Sequence, residues 1–226
     1  MREKAVYACG ILGILVMLWN LHIIFTQLPD DVLQGPIFRI IFIHVPATLI
    51  AYIFYTVALV TSILFLAKKS FFYDSISVAC IEVATMLVLV NLVTGSIWGR
   101  SQWGIWWAWD LRLTTQLMCF LLYLGYLLIR PAISEPTQRA TLSAFIAIFA
   151  YADIPLVIMA IRLPNVRTQH PGPVLETGGM ARVYDLPFGL GMLAILLIGT
   201  ALVLVRLQQE SEQREIDSLR RELHAL

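Results

Sequence analysis

Two histidines, five clustered tryptophans, one aspartate and four arginines are the side chains through which this sequence could do chemistry. Residues 98–115, WGRSQWGIWWAWDLRLTT, hold five of the six tryptophans in the chain: Trp98, Trp103, Trp106, Trp107 and Trp109, together with Arg100, Asp110 and Arg112. If 103–110 is helical, Trp103, Trp106, Trp107 and Asp110 recur at i, i+3, i+4 and i+7, which puts three indoles and a carboxylate on one face. A single tryptophan beside an apolar run belongs to the aromatic belt where lipid meets water. Five in one loop, with none in the others, make a surface for a flat ligand. Stacked indoles bury such a ligand's plane, and charged neighbours hold its rim.

His44 lies in FRIIFIHVPA, about one helical turn past Arg39 and just inside the edge of an apolar run. An ionisable residue at that depth is a functional candidate; the alternative is a histidine bonded to a neighbouring backbone carbonyl. His170, in RTQHP with Arg167 three residues before it, stands in a loop where a lone histidine is ordinarily solvated. On the topology below it shares one side of the membrane with His44 and the tryptophans. Haem wants each of these parts. Its iron takes neutral imidazole nitrogens axially, its ring stacks on indole, and its propionates accept charge-assisted bonds from arginines such as Arg39, Arg100, Arg112 and Arg167. Histidines from separate elements would clamp the iron from both faces, which suits a carrier and not an oxidase. There is no C-x-x-C-H for covalent attachment and no C-x-x-C pair, so the expected cofactor is haem b, held transiently. Cys9, Cys80 and Cys119 fall inside apolar runs and read as small fillers.

The elements that must position these groups are membrane spans. Of 226 residues 59% are hydrophobic and 14% charged, and the net charge of +1 gives nothing for nucleic acid to bind. Runs at 5–29, 40–67, 75–99, 113–129, 140–161 and 186–205 give six spans, broken only by Glu82 and Asp153. The first resembles a signal peptide but is too long and lacks a cleavage site, so it reads as a retained anchor. The fold class is therefore an all-α integral membrane protein. Lysine and arginine divide ten to six between the two sides, which puts both termini in the cytoplasm and the tryptophan loop outside. Residues 1–206 form the six-span domain, with outer loops at 98–115 and 162–185. Residues 207–226 form a short cytoplasmic amphipathic helix, for a coiled coil, a partner or the bilayer surface. Thr114 or Thr115 is expected to cap the fourth span. Glu82 reads as an interfacial carboxyl or a proton carrier, and Asp153 with Pro155 as a kink or a functional group. Asn91 should face other helices.

Residues 95–115, GSIWGRSQWGIWWAWDLRLTT, resemble the tryptophan-rich WGxxWxWD motif of a haem-handling family. The whole chain is similar to its short branch, the haem exporter or cytochrome c maturation protein C. The resemblance implies haem presented at the outer face of the inner membrane and passed to a periplasmic haem chaperone. It also implies an ABC transporter, made of an ATPase and a membrane subunit, and a small single-span membrane protein as partners. It makes His44 and His170 the paired axial ligands, and Trp98, Trp103, Trp106, Trp107, Trp109 and Asp110 the platform. Where relatives carry tryptophans just before the third-loop histidine, residues 162–169 have none. With no G-x-x-x-x-G-K-[ST], the chain has no P-loop for ATP hydrolysis, and no enzymatic activity of its own is expected. The alternative reading is a transmembrane transporter of haem or another solute; a subunit with permanently bound haem ranks behind it.

Overall fold

In lipid a backbone must satisfy its own polar groups, and a single segment can do so only as a helix. The computed structural model describes residues 2–163, 168–172 and 181–224. Its helices are α1 (Arg2–Thr26), α2 (Ile41–Lys68), α3 (Phe71–Trp103), α4 (Leu111–Ile129), α5 (Pro136–Tyr151), α6 (Asp153–Met159) and α7 (Asp185–His224), with 3-10 turns at Pro36–Ile40, Arg130–Ala132 and Arg182–Tyr184. Helices α5 and α6 make one span, broken at Ala152 just before Asp153 and Pro155. Six spans among the described residues are long and apolar enough to cross a membrane. An even number leaves the start of α1 and the end of α7 on the same side.

Helices α2 and α3 are the packing centre. Lys69, in the left-handed region at φ 56°, turns the chain so that they run antiparallel. Ser62 and Ser77 bond across the pair at 2.8 Å, and Tyr55 bonds Thr85 at 3.1 Å while stacking on Tyr123 of α4 with centroids 3.7 Å apart. Helix α1 lies on α7 through small residues: a Cβ on Gly13 would meet Ile198 Cγ1 at 2.8 Å. Close approach of this kind is how helices associate in a solvent as apolar as themselves.

Helix α3 spans 33 residues, about 50 Å, against an apolar layer of about 30 Å. It is long enough to outrun that layer, and its last turns carry Trp98 and Trp103, half-buried beside the end of the bundle. Gly104, at φ 76°, ends it. The cap of α4 is not a threonine. Asp110 stands at the N-cap and accepts from Leu113 N at 2.9 Å. Thr115 lies inside the helix, where its hydroxyl bonds back to Leu111 O at 2.7 Å.

The opposite end of the bundle is closed by ion pairs. Arg130 forks onto Asp74 at 2.9 and 2.7 Å and reaches Glu210 at 3.2 Å, while Arg214 joins the same two carboxylates. Arg206 Nη2 donates to Glu82 Oε1 at 2.8 Å, so Glu82 is an ion-pair partner. These contacts hold the far half of α7, which runs unbroken past 206 to His224.

Candidate functional site

The tryptophans do not share one helical face. Trp103 is the last residue of α3, and residues 104–110 are irregular. Gly104 in the left-handed region turns the chain back, and Ser96 Oγ holds the returning strand by donating to Trp106 O at 2.8 Å. The indoles form two edge-to-face pairs instead: Trp98 with Trp103 (5.1 Å, 83°) and Trp107 with Trp109 (5.9 Å, 73°). Trp103 lies over Gly99, where a Cβ would meet it at 3.1 Å, and Trp98 Nε1 donates to Gln34 Oε1 at 2.7 Å. Trp106 and Trp109 remain 61% and 78% exposed. Trp107 and Trp109 roof an apolar cleft of about 280 Å³ between Leu92 of α3 and Leu117 of α4. Trp107 Nε1 is buried with no acceptor among the described residues.

His44 sits in the first turn of α2, against α3. Thr94 Oγ1 gives its one proton to Val90 O at 2.7 Å, so at 3.0 Å it accepts from His44 Nδ1. The Asn91 amide donates to His44 O at 3.2 Å and to Nε2 at 3.1 Å. The same amide nitrogen stands 3.2 Å from Nδ1; with Nδ1 donating to Thr94, the Nε2 lone pair accepts from Asn91 and is taken up within the protein. Gly95 makes room for the ring, since a Cβ there would lie 3.0 Å from His44 Cε1. Asn91, Thr94, Gly95 and Trp98 follow one another at i, i+3, i+4 and i+7. That polar and small stripe in an apolar span is the sequence signal that would have found Thr94 and Gly95.

His170 reaches the same end of the bundle through Asp110. Beyond capping α4, that carboxylate accepts from Thr168 Oγ1 at 2.7 Å and Gln169 N at 2.9 Å. Burial alone would raise its pKa, but the three donors outweigh burial and hold it below the ordinary value. Nothing in the sequence spacing announced Thr168 and Gln169 as its partners. His170 Nδ1 donates to Pro171 O at 2.7 Å, which again leaves Nε2 with the lone pair. Burial first, then the neighbouring Arg112 guanidinium, lowers the His170 pKa from 6.5 to about 4. At neutral pH its ring is uncharged.

The arginines divide by what they hold. Arg39 donates from Nε to Ile24 O at 2.8 Å and from Nη2 to Leu28 O at 2.9 Å, and pairs with Asp30, so it fastens the end of α1. Arg100 bonds Gly104 O and lies 6.0 Å from the Trp106 ring centroid. Arg112 caps α6 through Val157 O and faces His170. Arg167 lies outside the described residues. Among the described residues no three His, Cys, Asp or Glu side chains converge to chelate a bare ion. Imidazoles and indoles gathered at one end of a bundle are the kinds of group taken by a metal already held in a flat macrocycle.

A family model described as "Heme exporter protein C" matches residues 1–222. Among curated proteins, "Heme exporter protein C" of Paracoccus denitrificans is 35% identical over 194 residues, which cover 84% of this chain and 80% of that protein. The protein of the same name from Bradyrhizobium diazoefficiens is 30% identical over 193 residues, 84% of this chain and 73% of its own. A "Putative cytochrome c biosynthesis ccmC-like mitochondrial protein" of Marchantia polymorpha is 33% identical over 150 residues, 66% and 63% of the two chains.

Proposed function

Because the chain belongs to the heme exporter protein C family, we propose that it handles haem in cytochrome c maturation, holding haem b transiently between His44 and His170. Haem offers an iron with two axial positions, a flat apolar ring and two carboxylates. The observation that carries the reading is that two histidines from separate elements stand at the tryptophan end of the bundle. His170 has Nδ1 spent on Pro171 O, which directs its Nε2 to a metal, while a metal on His44 Nε2 would take the place of the Asn91 amide. Asp110 ties the His170 loop to the tryptophan segment. The exposed Trp106 and Trp109 offer stacking surface. Arg112 and Arg100 are the cations placed for propionates.

The tryptophan end faces the periplasm in a multi-pass arrangement in the inner membrane, with both termini cytoplasmic. The exposed indoles are where a periplasmic haem chaperone would collect the cargo. The ABC transporter ATPase, its membrane subunit and a small single-span protein are the expected partners at the bundle's sides and inner end. The transporter alternative has less to draw on, because Glu82 is paired with Arg206. The test is the optical spectrum of the purified protein with its chaperone, for wild type, His44→Ala and His170→Ala. A b-type spectrum changed by either substitution, with less haem delivered, is expected. Haem indifferent to both histidines would reduce the tryptophans to a membrane belt.

A further inference from the structure

Pro46 has no N–H to offer, so the carbonyl of Phe42, four residues before it, lacks its helical partner. That carbonyl belongs to the turn of α2 that carries His44. Two other helices converge on it. From α7 comes Gly191, where a Cβ would stand 2.5 Å from Phe42 O and 3.4 Å from both Pro46 Cγ and Asn20 Nδ2. Only glycine lets α7 approach the open carbonyl so closely. From α1 comes Asn20, 0% exposed, with neither amide atom hydrogen-bonded among the described residues. A wholly buried, unpaired amide in lipid is expensive, and such groups are satisfied by a neighbour or an internal water. Asn20 Nδ2 and Phe42 O are both close to one point beside Gly191, which leaves them near enough for one bridging water to join them.

We infer that Asn20 is a positioning residue for His44: its amide, through one buried water, holds the Phe42 carbonyl that Pro46 frees, and so fixes the turn of α2 from which His44 faces Asn91 and Thr94. Phe42 itself is locked by Tyr184 and Phe38, with ring centroids 5.9 and 6.0 Å away, so the remaining freedom of the turn is in its backbone. Without the amide, the open carbonyl has no donor from α1, and the His44 ring loses its set relation to α3.

The inference rests on the haem reading for its consequence and not for its geometry, and two measurements separate them. The variants are Asn20→Leu, similar in size and apolar, and Asn20→Ser, which keeps a donor and leaves space for water. In haem-free protein, imidazole nitrogen-15 NMR should show the His44 resonances moved in Asn20→Leu and restored in Asn20→Ser, with thermal stability of both close to wild type. In a titration with ferric haem, Asn20→Leu should give a spectrum shifted towards that of His44→Ala and about tenfold weaker binding, and Asn20→Ser should resemble wild type. His44 resonances that move in Asn20→Leu while no variant binds haem would keep the positioning role and sink the haem reading. Resonances and haem spectrum unchanged in Asn20→Leu would overturn the inference.

Discussion

Asp110→Ser separates the two tasks of one carboxylate. Serine is as good an N-cap as aspartate, so the bond to Leu113 N and the start of α4 are kept. Its hydroxyl is too short to reach Thr168 and Gln169, which now bond Asp110 Oδ2 at 2.7 and 2.9 Å. A hydrogen bond to a charged group contributes roughly 1.5–3 kcal/mol. Asp110 is only half-buried, and screening cuts the two together to about 2–3 kcal/mol. If His170 ligates only when its loop is tied down, that loss appears in haem affinity, at about 1.4 kcal/mol per tenfold, as roughly 30- to 100-fold weaker binding. The assay is titration of purified wild type, Asp110→Ser and Asp110→Ala with ferric haem, followed in the Soret band, beside thermal unfolding. Asp110→Ser should unfold like wild type yet bind as weakly as His170→Ala; Asp110→Ala should also lose about 1 kcal/mol of stability with its cap. Wild-type affinity in Asp110→Ser would refute the tether.

Three further outcomes follow from the same contacts. Desolvation and Arg112 lower the His170 pKa to about 4, and only the neutral ring can ligate; haem binding should stay flat between about pH 7 and 5 and fall as the pH drops through about 4, whereas a midpoint near 6.5 in a spectroscopic pH titration would contradict its half-buried, Arg112-facing setting. Gly95→Ala puts a methyl 3.0 Å from His44 Cε1, so the ring must shift and the haem spectrum with it, while circular dichroism stays that of the wild type; an unchanged spectrum would show that His44 has slack. Asp74→Asn leaves Arg130, with its side chain 8% exposed, and Arg214 with Glu210 as the one remaining carboxylate of the two they share, which should cost less than the about 3–5 kcal/mol of a fully unpaired buried charge. Measured in detergent, a lowered unfolding temperature with an unaltered haem spectrum is expected, and an unchanged one would mean that water or Glu210 replaces Asp74.

Much of this was legible in the chain because it depends on local pattern. Twenty apolar residues in a row can cross lipid only as a helix, whatever their neighbours, so six spans and an all-α fold need no tertiary information. Five tryptophans beside Asp110 and a histidine at a span's edge declare their chemistry by type and crowding. What the sequence could not contain is partnership between residues far apart along it. The helical face expected over 103–110 failed at Gly104, whose freedom to adopt a positive φ let the segment fold back and pair its indoles edge to face. The cap expected of Thr114 or Thr115 fell to Asp110, since only a residue ahead of the first helical turn can face its free N–H groups. The bond from Asp110 to Thr168, the fixing of His44 by Thr94 and Asn91, the pairing of Glu82 with Arg206 and the burial of Asn20 beside Gly191 join segments that spacing leaves unrelated. Each is decided by which helices pack together, because a buried polar group takes whatever donor or acceptor the packing brings within about 3 Å of it.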